Sequence, residues 1–311
     1  MKLIEQGEVN AMLDFPTVIA SLISAHERAA MEVAESIMGS PEATYFVRHA
    51  VERGRYMASK LITSFPANLA TGTLPAIQAI VVLFDGRDGR PLEIIDGTSI
   101  THWRTAADSA IGSKFLARPD STDLLIVGAG EMSKWLARAH ASVLPALTQI
   151  RIWNRTSDRA EKIAAQLRTE GLPTKAVGGS LDEAVQTADV ISSCTRSTTP
   201  IIKGSLLKPG THLDLVGGYT PHTREADDDA AMRARIFVDL RQSAFHGVGD
   251  ILQPIENGAI TDASVLGELA DLVTGRVVGR RSIEDITFYK NAGGGHLDLM
   301  LAALIHDLRV K

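Results

Sequence analysis

A glycine-rich turn at residues 126–133, with the sequence IVGAGEMS, has the residue types and spacing that bind a phosphate group. Gly128 permits a tight turn after an apolar stretch, and Gly130 lets the backbone approach a pyrophosphate closely. Glu131 and Met132 begin a segment with helical periodicity, and a helix N-terminus stabilises a nearby negative charge. The spacing predicts a dinucleotide-binding turn between a strand and a helix. A strand–helix turn without a ligand is the alternative.

The end of the next predicted strand indicates which dinucleotide binds. An NAD site usually has an acidic residue at this point, where it holds the ribose 2′-OH. Asn154 occupies that position here, and Arg155, Thr156 and Arg159 follow it. Arginine and hydroxyl groups bind a 2′-phosphate, whereas a carboxylate repels it. We therefore expect NADP(H) to be preferred, with NAD(H) as a second cofactor, and a solvated basic loop is the alternative.

The elements around this turn predict the fold that positions it. From about residue 122 to Asp239, short apolar strands alternate with amphipathic helices. This order is typical of a doubly wound parallel sheet, the Rossmann type of α/β fold. Residues 296–311, at the other end of the chain, have strong helical character.

The first part of the chain predicts a different, α+β architecture. Residues 14–37 space their apolar side chains as a helix does. Residues 55–65 are typical of a strand, and residues 77–96 of a hairpin with a Gly/Asp-rich turn. Residues 98–119 predict a helix that opens at a Thr/Ser cap and ends before proline.

These two patterns predict two domains, as expected for a chain of 311 residues. Residues 118–289 are the expected NAD(P)-binding Rossmann domain. Residues 1–117 and 290–311 form a split domain that builds the substrate pocket, into which the nucleotide fold is inserted.

Composition excludes several classes of function. A net charge of −5 argues against nucleic acid or an anionic membrane as the main partner, since both need a basic surface. The first residues lack the apolar core of a secretory signal, and Cys194 is the only cysteine, so no intrachain disulfide forms. We therefore expect a cytoplasmic protein. His212, His222 and His246 lack the spacing of zinc ligands, so no metal is expected.

Several segments together resemble the ornithine cyclodeaminase/mu-crystallin family. They are, in chain order, KLITSFPAN (60–68), VVLFDGRDGRPLEIIDGTSITHWRTAADSA (81–110), VGAGEMS, WNRT and VGGYTP (216–221). The resemblance covers about residues 1–300, and the block at 81–110 is its most specific part. It implies a homodimer in which the split domain also dimerises. It also implies a nicotinamide cofactor that exchanges hydride with the α-carbon of an amino or imino acid.

The resemblance assigns a role to two cationic residues that the sequence already singles out. Lys60 lies in the middle of a predicted strand, and a buried lysine needs an anionic partner or a lowered pKa. The family places this lysine and Arg104 against the substrate carboxylate, so both are the expected catalytic and substrate-binding residues. The Arg104–Thr105 pair is also implied to lie near the cofactor phosphates. Structural ion pairs are the alternative for both cations.

A further carboxylate-binding arginine is implied but harder to locate. Arg48 is the best candidate, and Arg53 and Arg55 are close by. The sequence between this region and Lys60 is shorter than in the cyclodeaminases.

Residues at two later strand ends are expected to contact the cofactor. Cys194 has no obvious base, so it is more typical of a pocket lining than of a nucleophile. Thr195, Gly217 and Tyr219 complete this set. The acidic run at residues 225–235 is expected to be an exposed helix start.

Tyr219 also bears on the reaction. Cyclodeaminases and archaeal alanine dehydrogenases have an aspartate directly after this Gly pair, which accepts a proton from the substrate amine. A tyrosine is a poor base at neutral pH, and neither Asp214 nor Glu225 is an evident replacement. The alternative is that Tyr219 only packs beside the nicotinamide and that another group acts as the base.

The preferred hypothesis is an NADPH-dependent reductase of cyclic imino acids. Its expected reaction converts Δ1-pyrroline-2-carboxylate to L-proline, with Δ1-piperideine-2-carboxylate as a further substrate. The alternatives are an ornithine cyclodeaminase, an open-chain amino-acid dehydrogenase, and a crystallin-like NADPH-binding protein without turnover.

Overall fold

A computed structural model describes residues 2–28 and 30–310. The chain divides into two compact units, unit 1 (Met1–Thr105 and Gly294–Lys311) and unit 2 (Ala106–Gly293). One division falls inside a long helix, Gly97–Leu116, rather than after it. The assignment of a substrate domain to residues 1–117 and 290–311, and of a cofactor domain to residues 118–289, stays a prediction.

Unit 1 is built on a six-stranded sheet in the order β1-β6-β5-β4-β3-β2. Strands β2 to β6 pair antiparallel, and β1 pairs parallel with β6. Its helices and strands are β1 (Leu3–Ile4), α1 (Gln6–Met12), α2 (Phe15–His26), β2 (Glu32–Ser40), β3 (Ala43–Glu52), β4 (Tyr56–Ser64), α3 (Asn68–Thr71), β5 (Ile77–Asp85), β6 (Pro91–Asp96), the first part of α4 (Gly97–Leu116) and, from the end of the chain, α12 (Gly295–Arg309).

The predicted helix at 14–37 is wrong beyond its first half. Helix α2 begins after Asp14, whose side chain accepts a hydrogen bond of 2.8 Å from the Thr17 N–H, and it ends at His26. Residues 32–40 instead form β2, which pairs with β3 along its full length. Pairing between distant segments thus overrides the local helical periodicity.

The other predicted elements of unit 1 are confirmed. The strand at 55–65, the hairpin at 77–96 and the helices near 98–119 and 296–311 correspond to β4, β5–β6, α4 and α12. The cap of α4 differs from the expected Thr/Ser cap, because the Asp96 side chain accepts from the Ser99 N–H at 2.7 Å.

Helix α12 packs against strands of the sheet in unit 1, and it begins close to β3. A Cβ added at Gly295 would lie 2.6 Å from the backbone oxygen of His49. Only glycine therefore lets the start of this helix approach β3 so closely. The approach brings the N-terminus of α12 to the strand that carries Arg48.

Unit 2 is built on an eight-stranded parallel sheet in the order β13-β12-β14-β11-β10-β7-β8-β9. After the end of α4, its elements are β7 (Asp123–Val127), α5 (Glu131–Val143), β8 (Gln149–Trp153), α6 (Ser157–Thr169), β9 (Thr174–Val177), α7 (Leu181–Thr187), β10 (Val190–Ser193), a 3₁₀ turn (Gly204–Leu206), β11 (His212–Leu215), α8 (Asp228–Arg233), β12 (Ala234–Val238), α9 (Arg241–Ala244), α10 (Gly249–Glu256), a second 3₁₀ turn (Asp262–Ser264), β13 (Val265–Glu268), α11 (Leu269–Val273) and β14 (Ile286–Lys290).

This sheet confirms the expected fold class. Its central strands are buried along their length, as parallel strands with helices on both faces are. Strand β14 was not among the predicted strands; it comes last in the chain of unit 2 yet lies between β11 and β12. No helix in the described part of the chain has the length and apolar character that crossing a bilayer requires.

Candidate active site

The glycine turn of unit 2 has the geometry that a dinucleotide requires. Gly128 follows β7 with a φ of +113°, a conformation that side-chain-bearing residues rarely adopt. Gly130 is the N-cap of α5, and a Cβ added there would meet no atom within 4 Å. The start of α5 therefore has open space beside a small residue, which leaves room for a pyrophosphate at the helix N-terminus. Glu131 and Met132 are the first residues of that helix.

The side chains expected at the 2′-phosphate follow β8 at the same edge of the sheet. Arg155, Thr156 and Arg159 are exposed, and Asn154 is half-buried. The Asn154 side-chain amide donates to the Thr156 backbone oxygen at 2.9 Å, which fixes the bend before α6. Strand β8 thus ends without a carboxylate, and its arginines are accessible to a ligand.

Cys194 lies where β10 ends, next to the glycine turn. Its thiol donates to the Val127 backbone oxygen at 3.6 Å, and a Cβ added at Gly128 would lie 3.3 Å from its Sγ. Burial raises the pKa of the Cys194 thiol well above its ordinary value. A thiol held in this way is not a nucleophile at neutral pH, in keeping with a lining role.

Glu225 accepts hydrogen bonds from the residues at this strand end. The expectation that it begins an exposed helix is wrong. Its side chain is buried, and Oε1 accepts hydrogen bonds from the Thr195 N–H at 2.6 Å, the Thr195 hydroxyl at 2.7 Å and the Ser193 hydroxyl at 2.5 Å. Burial raises the pKa of Glu225 to about 7, and nearby Asp250 acts in the same direction. Helix α8 begins later, at Asp228, so only the second part of the acidic run is a helix start.

A buried ion pair holds the Gly217–Gly218 turn after β11. Lys290 at the end of β14 donates to Asp250 Oδ2 at 3.0 Å and to the Gly217 backbone oxygen. Asp250 Oδ1 in turn accepts from the Glu225 N–H at 2.7 Å. A side chain at Gly217 would clash with Glu225 and with the Thr195 backbone. The Thr195 and Gly217 segments are thus positioned by one buried network of charges that sequence reasoning missed.

Tyr219 and Asp214 have different surroundings. Tyr219 is 53% exposed directly after the Gly pair, at the carboxyl end of β11. Asp214 is fully buried within β11, where it accepts from the Ser109 hydroxyl at 2.9 Å and the Ser192 hydroxyl at 2.6 Å. Asp214 is therefore hydrogen-bonded within the core of unit 2. It does not replace the aspartate that cyclodeaminases have at the position of Tyr219.

In unit 1, Lys60 forms a buried ion pair with Asp298. The Lys60 Nζ lies 3.0 Å from Asp298 Oδ1 and 2.5 Å from the Thr101 hydroxyl, and the Lys60 and Asp298 side chains are each 2% exposed. Burial lowers the pKa of Lys60 to about 8, while the Asp298 carboxylate opposes this shift. Burial acts to raise the pKa of Asp298, but Lys60 and Arg104 together hold it below its ordinary value.

Arg104, which is buried, and Arg48, which is half-buried, lie close to this ion pair. Arg104 lies one turn after Thr101 on α4, with its Nε 3.4 Å from Asp298 Oδ1. Arg48 lies directly opposite Lys60 on the neighbouring strand, and its Nε is 2.8 Å from Glu35 Oε1 at the surface. Lys60 and Arg104 thus share the buried carboxylate of Asp298, and two cations close together suit an anion.

The two other candidate arginines lie elsewhere. Arg53 pairs with Glu32, and its side chain is 83% exposed. Arg55 lies 3.1 Å from Glu52 and places its guanidinium over the Tyr56 ring. Only Arg48 of the three is placed opposite Lys60, which favours it as the third cation of the site.

Asp298 was not anticipated as a site residue. A signal for it is present in the sequence: Asp298 is an acidic residue within the apolar segment HLDLMLAALI, which forms a buried helix. A buried acid requires a cationic partner. Thr105, predicted to contact the cofactor, is buried on α4 at the end of the first segment of unit 1. In the described ranges 2–28 and 30–310, no group of three or more His, Cys, Asp or Glu is placed to hold a metal ion.

A glycine turn at the edge of a parallel sheet, together with a separate unit that buries paired cations, is the arrangement of a nicotinamide-dependent oxidoreductase. Residues 39–311 match the model of the ornithine cyclodeaminase/mu-crystallin family, and the chain belongs to that family.

Three relatives illustrate the match. A Δ1-pyrroline-2-carboxylate reductase of Paracoccus denitrificans is 39% identical over 300 residues, covering 96% of this chain and 94% of the relative. The ketimine reductase mu-crystallin of Rattus norvegicus is 36% identical over 254 residues, 81% of this chain and 75% of its own. The Δ1-pyrroline-2-carboxylate reductase of Thermococcus litoralis, solved with NADH and L-proline, superposes with a TM-score of 0.93 at 27% identity and covers 100% of this chain and 98% of its own.

Proposed function

We propose that this protein is an NADPH-dependent reductase that converts Δ1-pyrroline-2-carboxylate to L-proline, with Δ1-piperideine-2-carboxylate as a further substrate. The observation that carries the proposal is the buried Lys60–Asp298–Arg104 group, in which two cations share one carboxylate, in a chain so similar to Δ1-pyrroline-2-carboxylate reductases. A carboxylate is the group that such a site would bind. In this proposal unit 1 carries the substrate and unit 2 the cofactor.

The proposed reaction places one hydride on the imine carbon and one proton on the imine nitrogen. Arg104 holds the substrate carboxylate through two N–H groups, and Lys60 and Arg48 add charge beside it. The nicotinamide, when bound, supplies the hydride. The imine arrives protonated or takes its proton from water or from Lys60. Holding the carboxylate orients the ring, so that the reacting carbon is presented in one direction.

The proposed cofactor is held by the glycine turn and the two strand ends beside it. The N–H groups of Glu131 and Met132 at the start of α5 would bind the pyrophosphate. Arg155, Thr156 and Arg159 would bind a 2′-phosphate. Asn154 and the strand-end residues Cys194, Thr195, Gly217 and Tyr219 would line the rest of the cofactor site in unit 2, and Thr105 on α4 stays a predicted contact of the cofactor.

The proposed preference for NADPH rests on residues of this chain. The exposed arginines after β8 and the absence of an acid at Asn154 both favour a 2′-phosphate over a free ribose hydroxyl. The Thermococcus relative was solved with NADH. Titration with both cofactors therefore tests this part of the proposal separately from the reaction.

We also propose a cytoplasmic homodimer. Strand β2 lies at the edge of the sheet in unit 1 and exposes Ile37 at 71% and Met38 at 58%. Exposed apolar residues on an edge strand favour pairing with a second copy. Light scattering after size-exclusion chromatography would show the dimer, and a monomer at micromolar concentration would contradict it.

The test of the reaction uses the purified chain with NADPH and each cyclic imine in turn. Loss of NADPH absorbance is the expected result, with equimolar appearance of L-proline from the pyrroline or of pipecolate from the piperideine. L-Ornithine with bound NAD(H) is the comparison, because ornithine cyclodeaminase releases ammonia without net change of cofactor. We expect little or none of that activity, since Tyr219 stands where an aspartate would act as base. Redox-neutral conversion of ornithine to proline would instead favour the cyclodeaminase.

A further inference from the structure

His296, the second residue of α12, is a buried polar side chain that makes no hydrogen bond within the described part of the chain. It is 4% exposed, and neither ring nitrogen has a hydrogen-bond partner among the described residues. An imidazole carries one donor and one acceptor when neutral. Buried polar atoms are almost always paired, so an unpaired imidazole calls for an explanation. A ligand that binds beside it would satisfy at least one of the two nitrogens.

The surroundings of His296 are those of the proposed substrate site. It precedes Asp298 by two residues, and Arg104, Asp298 and Arg48 are all close enough for their charges to act on its pKa. Burial is the main cause that lowers the pKa of His296 to about 3, so the ring is neutral at neutral pH. It therefore offers a neutral N–H donor next to two cations.

The ring of His26 restricts the orientation of His296. The two ring centroids are 6.0 Å apart at an interplanar angle of 68°, in an edge-on contact between α2 and α12. Burial likewise lowers the pKa of His26 to about 4. Two neutral rings in edge contact do not repel each other as two imidazolium ions would, so the contact is compatible with a neutral His296.

The start of α12 adds a further attraction for an anion. Helix N-termini present free N–H groups and partial positive charge, and α12 is 15 residues long. Its first turn carries His296, and Gly295 allows that turn to approach β3 beside Arg48. The unpaired imidazole and the helix start therefore favour the same kind of ligand as the Lys60 and Arg104 cations.

We propose that His296 is a substrate-binding residue that donates a hydrogen bond to the carboxylate of the cyclic imino acid. The inference rests on the proposed function, which supplies the identity of the ligand. Lys60 and Arg104 provide the charge, and His296 provides a directed bond that fixes the carboxylate plane. A larger KM with a nearly unchanged kcat is the expected consequence of losing this bond, because it is made equally in the ground and transition states.

The experiment compares His296→Leu and His296→Gln with wild type. We expect the KM for Δ1-pyrroline-2-carboxylate to rise about tenfold in His296→Leu, with kcat and the KM for NADPH within about twofold of wild type. His296→Gln should recover part of the loss, since its amide donates. Leu297→Met, which alters the neighbouring buried residue without removing a polar group, should leave the KM unchanged.

Each outcome has a defined meaning. An unchanged KM in a folded His296→Leu protein overturns the inference while leaving the proposed function intact. No turnover of any cyclic imine by wild type overturns both. If His296→Leu does not fold, nitrogen NMR of the histidine rings in wild type decides: the His296 signals, assigned with His296→Gln, should shift when L-proline is added. Unchanged signals at saturating proline overturn the inference.

Discussion

Lys60 Nζ donates a hydrogen bond of 3.0 Å to Asp298 Oδ1, and both side chains are almost completely buried. This contact joins strand β4 to helix α12 within unit 1. Burial alone favours the neutral form of each group, whereas the charge of each favours the ionised form of the other. The pKa of Lys60, at about 8, reflects burial as the larger of these effects.

Asp298→Asn should lower the pKa of Lys60 further, because it removes the charge that favours the ammonium form. Lys60 would then lose its charge at lower pH, and the alkaline decline of kcat/KM should move toward acid. Breaking one side of a buried ion pair should also cost stability on the order of 3 kcal/mol. Asp307→Asn on the same helix, where the acid accepts from Tyr56, is the control for general effects on α12.

The pH dependence of the wild type provides a second measurement on this pair. The folded-state pKa of Lys60 is below its ordinary value of 10.5, so the folded protein binds fewer protons than the unfolded chain between about 8 and 10.5. The contribution of Lys60 to stability is therefore unfavourable below pH 8 and improves as pH rises through that window. The KM for the imino acid should rise over the same range as Lys60 loses its charge. If the alkaline decline of kcat/KM occurs at the same pH in Asp298→Asn as in wild type, the proposed effect of Asp298 on the pKa of Lys60 is contradicted.

Arg104→Lys should leave the fold intact and lower kcat/KM. The guanidinium binds a carboxylate through two parallel N–H groups, which the ammonium of lysine does not reproduce. We expect a loss of about 2 kcal/mol in transition-state binding, or roughly thirtyfold in kcat/KM. Arg90→Lys, an exposed substitution on the β5–β6 turn, is the matched control. Wild-type kinetics in Arg104→Lys would assign the arginine to a purely structural ion pair.

The parts of the fold that sequence predicts well are those with strong local patterns. Strands β4 and β5–β6 and the βαβ alternation of unit 2 follow from alternation and turn chemistry. Strand β2 was missed because its pairing with β3 is a long-range interaction that the local helical periodicity does not report. Strand β14 was missed because it inserts between β11 and β12, far from its sequence neighbours.

The candidate site shows the same division. Lys60 and Arg104 are identified by residue type together with the family resemblance, since a cation within an apolar element needs a partner. Asp298 was missed because the partner lies on the other segment of unit 1. Glu225 was misassigned because an acidic run is usually solvated, and only the folded backbone reveals that it receives the Thr195 N–H. The local pattern of apolar and polar residues does not show which distant elements contact each other in the folded chain.

Glu225→Gln should change how stability depends on pH. The folded-state pKa of Glu225, about 7, is above its ordinary value of 4.5, so the folded protein binds more protons than the unfolded chain between these values. Its contribution to stability is therefore lost as pH rises through that window. Relative to wild type, Glu225→Gln should gain on the order of 2 kcal/mol in the free energy of unfolding from about pH 5 to about pH 8.

Denaturant unfolding at several pH values measures this difference. Glu256→Gln, an exposed substitution on α10 of the same unit, should give a pH dependence parallel to wild type. If Glu225→Gln is also parallel to wild type, Glu225 does not titrate between those pH values.

Arg155→Ala should weaken NADPH binding and leave NADH binding nearly unchanged. Arg155 is exposed directly after β8, where a 2′-phosphate would carry charge that NADH lacks. A charge-assisted hydrogen bond is worth about 1.5–3 kcal/mol, so the dissociation constant for NADPH should rise about tenfold or more. Fluorescence titration of each cofactor measures both constants on the same protein. Lys162→Ala removes an exposed cation from α6 away from the strand end, and it should change neither constant by more than about twofold. The 2′-phosphate is the only difference between the two cofactors. An equal loss of affinity for NADPH and NADH in Arg155→Ala would therefore place this arginine against a group that both cofactors share. Any preference for NADPH would then have to come from Thr156 and Arg159.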